Sequence, residues 1–434
     1  MEQDGNAGLL AQDLVGLRRD FHRFPEPGFG EFRTAGIVSD FLRRRGFRVK
    51  IADEAMSMAA IHYRDESKVA ESAERAIAGG VDKGLVELMR SGGTAVVADI
   101  GPLLGPVVAF RFDMDALPIQ ESNDRSHLPA AQGFASANTG LMHACGHDGH
   151  VAIGLGLAAA LASLGDSLKA TVRLIFQPAE EGTMGGAEAI VDRGWMTDVR
   201  YMVCCHLGLG LPTGTIACRS GFLATSKYAV DFLGTESHAS NEPQSGKNAL
   251  LAAASASLAL HGIGAHSDGW FSLNVGVLKA GESQVIVPGR ATIQLGYWAD
   301  KNEIHDYATD RVRQVIKGSA ETWGVVAEQR LIGRAPISSQ SETLAKIIKD
   351  CAEGMPELTE ARDWVESRVA EDGNVFLEEV AKTGGHGAFI VVGSDIKGGH
   401  HTPSFDIDER SLALGVSLLR KVCLQLLHDC RSGE

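Results

Sequence analysis

Between residues 106 and 393 four short apolar runs stand out, VVAFRF, VRLIF, YMVCC and AFIVVG, each almost free of polar interruption. Runs of that length without polar alternation fit strands buried on both faces. Helical stretches lie between several of them, which predicts an α/β domain with a mostly parallel sheet sandwiched by helices. Polar groups gather after each run. Asp113 and Asp115 follow the first; Gln177, Pro178, Glu180 and Glu181 follow the second; His206 follows the third; His400 and His401 follow the fourth after a glycine-bearing loop. Ligands of open α/β sheets bind beyond the carboxyl ends of the strands, so the four runs deliver acids and histidines to one place.

The pattern changes over residues 221–335. KYAVDFLG, FSLNVGVLKAG and RATIQLGYWA alternate like strands with one exposed face, and helices are expected near 247–261 and 303–322. This predicts a smaller α+β domain inserted into a catalytic domain made of 1–220 and 336–434. At the front, helices over 8–45 are broken at PEPGFGE and read as scaffold. Residues 53–93, polar and alanine-rich, read as a surface insertion without chemistry of its own.

Composition narrows the function. A length of 434 residues suits two domains. A net charge of -14 argues against nucleic acid and anionic membranes as partners. The seven cysteines are scattered and include the adjacent Cys204 and Cys205, which fits a reducing compartment better than a disulfide framework. With no signal-peptide pattern and no stretch read as a membrane span, the expectation is a cytoplasmic protein.

The chemistry centres on MHACGHDGH, residues 142–150. His143, Cys145 and His147 are spaced two apart, so an extended backbone would aim them at one ion. Asp148 and Gly149 then open an apolar run as a helix N-cap would. A buried cysteine among structural histidines is the simpler alternative. So is a closed zinc site, but that would want a second pair of Cys/His ligands at short spacing, and none occurs. Glu180 and Glu181 are adjacent and cannot point the same way from a regular backbone, so one suits metal coordination and the other a general base. A solvated pair is the usual fate of such neighbours, yet VRLIFQP buries this one. Cys145, His147, Glu181, His206 and His401 make five ligands, enough for one ion or for two sharing a bridging group, with Mn or Zn the expected metal. Glu180 is then the base, and Asp115 orients a ligand imidazole, a task Asp113 or Asp148 could share. His150 and His400 read as structural. His238, in the inserted domain, suits an oxyanion donor.

RRDFHRFPEPGFGEFRTA, FRFDMDALP, MHACGHDGH, IFQPAEEGT, CHLGLGLPTGT, SKYAVDFLGTESHAS, NVGVLKAG and GHHTPSFDIDE resemble the metallopeptidase clan of carboxypeptidase G and aminoacylase. The resemblance spans nearly the whole chain and is nearest to the branch of auxin-conjugate, hippurate and p-aminobenzoyl-glutamate hydrolases. It implies the same five ligands and Glu180 as base. It also implies an insert that serves as lid and dimer interface, so that a homodimer supplies His238 across the interface. One departure stands out: where amide-cleaving members carry Asn and Arg in the lid, this chain has Val285 and Trp298. Arg grips carboxylates bidentately and Trp cannot, though Arg290 or Arg334 could take over. Trp298, Arg334 and Asn274 are therefore the expected contacts to a small aromatic substrate. The expected reaction is hydrolytic deamination of an activated aromatic amine such as 5-nitroanthranilate, giving 5-nitrosalicylate and ammonia. The alternative is amide hydrolysis of p-aminobenzoyl-glutamate or an indoleacetyl-type amino acid. A non-catalytic binding protein of the same fold would lack a base or ligand, and none is missing here.

Overall fold

The computed structural model describes residues 4–103, 105–366 and 368–432. They form two compact units, one of the described residues within 4–220, 338–366 and 372–432, the other of 221–337 with 368–371.

In the first unit, β1 (Arg48–Ile51), β2 (Val96–Ile100), β3 (Val107–Asp113), β4 (Thr171–Gln177), β5 (Val199–Leu207) and β6 (Thr215–Ser220) join two late strands in one sheet. The order is β1, β2, β4, β3, β5, His386–Val392, β6, Glu360–Glu366. β3 runs parallel to β4 and β5, and β5 parallel to His386–Val392; pairings nearer the edges include antiparallel ones. Every residue of β3 and β4 is buried, which is why their sequences show no alternation. Helix His147–Ala162 packs against β3 and β4, where a Cβ at Gly154 would come within 2.8 Å of the Phe112 and Phe176 rings. Those rings lie 5.5 Å apart, each fully buried and worth roughly 1.5–3 kcal/mol by area.

Two expectations need correction here. Helix Arg410–Ser432 is long and apolar enough to cross a membrane, contrary to the reading of no such stretch, but its Leu412, Leu418, Leu419, Val422, Cys423 and Leu426 are buried within this unit. Nor is 53–93 merely superficial: helices Glu66–Ala78 and Lys83–Gly92 bury Val69, Ala73, Ala76, Val86 and Met89. Ser72 there donates to the Gly30 carbonyl at 2.6 Å, bracing the PEPGFGE turn.

The second unit has a four-stranded antiparallel sheet in the order Val326–Ala335, Ala224–Leu233, Arg290–Ala299, Phe271–Ala280. Along Arg290–Ala299, Ala291, Ile293, Leu295, Tyr297 and Ala299 are buried and alternate with more open residues, the period of a strand covered on one side. Helices Ala249–His261 and Asn302–Thr322 contribute Ala252, Ala256, Leu260, Val312 and Ile316 to that core. Asn248 caps the first of them by accepting from the Leu251 amide at 3.1 Å.

Candidate metal centre

The carboxyl ends of β3, β4 and β5 and two loops bring Cys145, His147, Glu181, His206 and His401 together. Cys145 Sγ lies 3.5 Å from His206 Nε2 and 3.4 Å from His401 Nε2. His401 Nε2 is 3.3 Å from Glu181 Oε1, and His147 Nε2 is 3.9 Å from the same oxygen. Two triads of donor atoms share Cys145, one with His147 and His206 and one with Glu181 and His401, while Glu180 and Glu181 also group with His147, and Asp113 and His150 group with it on the other side. Glu180 joins from the side, Oε2 4.0 Å from His147 Nε2.

The tautomers favour coordination. His147 Nδ1 lies 2.8 Å from the Asp115 backbone carbonyl, and His206 Nδ1 2.8 Å from the Leu207 carbonyl. A carbonyl can only accept, so each Nδ1 carries the proton and each Nε2 presents a lone pair to the centre. His147 Nε2 is buried without a hydrogen-bond partner among the described residues, which a divalent cation would remedy. Burial and the charge of Glu181 push the Cys145 thiol well above its usual range, so a cation is what would make it a thiolate. Burial, reinforced by His150, holds His206 well below the usual histidine range. Burial opposes charge on His147 too, but Asp113 and Asp115 more than offset it and raise that imidazole. These residues fit a one- or two-ion site.

The local folding differs from the sequence reading in instructive ways. Helix His147–Ala162 is capped by Gly146 in the left-handed region, φ 94°, not by Asp148, whose Oδ1 accepts from the Gly149 amide inside the first turn. That turn breaks the extended spacing. His143 accordingly stays out of the triads, fully buried, with burial lowering it to about 3. Glu180 and Glu181 do not diverge; both approach His147, because Ala179 at φ 53° turns the chain sharply before them. Ala179 is held by its amide donating to Glu31 Oε1 at 2.9 Å. The Asp115 carboxylate accepts from the Glu180 and Glu181 amides at 3.0 and 2.9 Å, so its side chain anchors the glutamates while its carbonyl orients His147. His150 is satisfied at both nitrogens, by Asp113 at 2.5 Å and the Leu207 amide at 2.9 Å. Burial lowers His400 to about 4, and it belongs to neither triad.

Sequence reasoning passed over a buried network beside this centre. Arg18, fully buried, donates through Nε to Asp148 at 2.8 Å and through Nη2 to Asp406 at 2.7 Å. His22 contacts Asp148 through Nδ1 at 2.8 Å and Glu121 through Nε2 at 3.0 Å. Only RRDFH, at helical spacing, hinted at it. A cavity of about 770 Å³ is bordered by Asp406, Glu409 and His127 and by none of the five ligands.

In the second unit, His238 is exposed, and its Nδ1 accepts from the Ser240 and Asn241 amides at 3.3 and 3.1 Å. The proton therefore sits on Nε2, available to donate. Trp298 and Asn274 share the open sheet face, since Asn274 pairs with Gly296, two residues before Trp298. Arg334 does not join them: it pairs with Ser226, which pairs with Tyr297 on the helix-covered face. Of the cations in register on the Trp298 face, which include Arg290, Lys279 and Arg330, the one nearest Trp298 is Lys227, opposite Gly296 and Gly333. Arg290 is exposed, 3.8 Å from Asp231.

The sequence model of peptidase family M20/M25/M40 matches residues 109–425. The chain is 41% identical over 419 residues to a subunit of the p-aminobenzoyl-glutamate hydrolase of Escherichia coli K12, covering 96% of each. It is 38% identical over 419 residues to indole-3-acetyl-aspartic acid hydrolase of Enterobacter agglomerans, again 96% of each. The crystal structure of an aminobenzoyl-glutamate utilization protein from Klebsiella pneumoniae matches with a TM-score of 0.83 at 32% identity, over 98% of both chains.

Proposed function

The chain belongs to peptidase family M20/M25/M40 and is a hydrolase of amide bonds; from that premise we propose that it is a metal-dependent amidohydrolase that cuts a small aromatic acyl group from an amino acid. The first candidate substrate is p-aminobenzoyl-glutamate, the second an indoleacetyl amino acid. One observation carries the reading: two ligand triads share Cys145, with a further carboxylate, Glu180, beside them. Ring deamination rested on Trp298 and Val285 alone, and relatives named for aryl and indoleacetyl amides match the chain end to end, so the amide reading replaces it.

Divalent ions held by the five ligands would polarise the scissile carbonyl and acidify water. Glu180 takes the proton as water adds to the carbonyl carbon and returns it to the nitrogen as the C–N bond breaks, yielding the free acid and the amino acid. Asp115 fixes the glutamate turn and the His147 tautomer throughout. His238, from the second unit of this chain or of a second copy, donates Nε2–H to the oxyanion. Trp298 offers the aryl ring a flat partner beside Asn274, and Lys227 offers the amino acid's carboxylate a cation. The reading includes Mn or Zn as the metal, a homodimer through the second unit, and a cytoplasmic setting supported by free cysteines.

Incubating the Mn- or Zn-loaded protein with p-aminobenzoyl-glutamate, indoleacetyl-aspartate and 5-nitroanthranilate tests it. Release of glutamate or aspartate is expected. Ammonia from nitroanthranilate, with neither amide cleaved, would overturn it.

A further inference from the structure

The five ligands come from segments far apart in the chain, and something must hold those segments in register. Cys145 and His147 lie in the turn that opens helix His147–Ala162. His401 lies in a loop that leaves the fold at the Lys397–Asp406 bridge, and it adopts φ 59°, an unfavourable conformation for a side chain with a Cβ. One backbone bond links the two segments directly, from the His401 amide to the Ala144 carbonyl at 2.8 Å. A strained loop on one such link would be free to shift His401 away from Cys145.

Arg18 supplies a second link. It comes from helix Asp4–Arg23, which contributes no ligand, and its guanidinium is buried between the two segments. Nε meets Asp148 Oδ2, next to ligand His147; Nη2 meets Asp406 Oδ1, at the root of the His401 loop. Both carboxylates are buried. The planar fork sets the distance between two carboxylates as a flexible ammonium could not. His22 braces the Asp148 end, and Glu409, 3.4 Å from Nη1, adds a contact on the outer side.

We propose that Arg18 is a positioning residue for the metal centre: by joining Asp148 to Asp406 it sets the separation of His147 from His401, and so the geometry of the triad containing His401. This rests on the metal-centre reading above. The ion held through Glu181 and His401 should depend on Arg18 more than the ion held through His147 and His206.

The test compares Arg18→Lys and Asp406→Asn with wild type and with Arg19→Lys, a control whose guanidinium pairs with Glu409 and lies over the Phe134 ring but touches neither Asp148 nor Asp406. Asp406→Asn keeps an acceptor and volume in case Arg18→Lys folds poorly. Metal content after dialysis against buffered Mn²⁺ or Zn²⁺ is measured on the folded fraction, with thermal unfolding recorded separately. Wild type and Arg19→Lys are expected to hold two equivalents. Asp406→Asn and Arg18→Lys are expected to hold nearer one, with the weaker ion's affinity reduced about 10- to 100-fold. Variants that unfold earlier yet keep both ions at wild-type affinity would show Arg18 to be merely structural and overturn the proposal. Wild type binding no ion would overturn the metal reading itself, a distinguishable result.

Discussion

The two units treat their polar side chains in opposite ways. In the first, four of the five candidate ligands are fastened from behind: His147 by the Asp115 carbonyl, His206 by the Leu207 carbonyl, Glu181 through its amide on Asp115, and the His401 loop through Asp406 and Arg18. In the second, His238 is exposed, and Trp298 and Asn274 stand on an open sheet face. Bond-breaking groups need tenths of an ångström, and substrate contacts can yield more. A fold that keeps its candidate ligands in one unit can change the open sheet face of the other without disturbing them.

That contrast is open to attack, and the largest effect should come from the atom both triads share. Cys145→Ala is expected to lose both ions and to reduce amide cleavage to background, while remaining folded by circular dichroism; elemental analysis finding full metal content would refute the sharing. Next is Glu180→Gln, expected to lower kcat about 10²- to 10⁴-fold with metal content intact. Changes in the second unit should then leave metal content alone. His238→Ala should cost roughly 10²–10³ in kcat if it donates to the oxyanion. Lys227→Met should chiefly raise KM, by about tenfold, for substrates with an amino-acid carboxylate, and leave kcat nearly unchanged. Loss of metal in either variant would erase the distinction between the units.

The last effect falls on stability and leaves activity alone. Glu26 is buried under the amides of Arg33 and Thr34, and burial raises it from 4.5 to about 7 although those amides oppose the rise. The folded state then holds this proton more tightly than the unfolded chain. Its contribution to stability should therefore fall as pH climbs from 4.5 through about 7. Glu26→Gln should flatten that part of the stability curve by at most about 3 kcal/mol. Urea midpoints at both ends of the window measure it; parallel curves for variant and wild type would contradict the shift.

Much of the first unit was legible because its strands are buried on both faces. VVAFRF and VRLIF needed no partner to be recognised, and the residues that follow them are the ones the structure gathers. What could not be read depends on turns and distance. Nothing local says that Gly146 ends the extended spacing and leaves His143 aside, or that Ala179 turns the glutamates together. Arg18 sits in a segment that reads only as scaffold; its partners lie 130 and 388 residues away. In the second unit alternation disclosed the strands, but only the register separates Arg334 from Trp298 and Asn274.

The contact between Cys145 and His401 spans 256 positions. During synthesis the earlier ligands leave the ribosome long before the last one exists, and the inserted unit is made in between. A growing chain can thus hold at most part of its centre until His401 itself has been made.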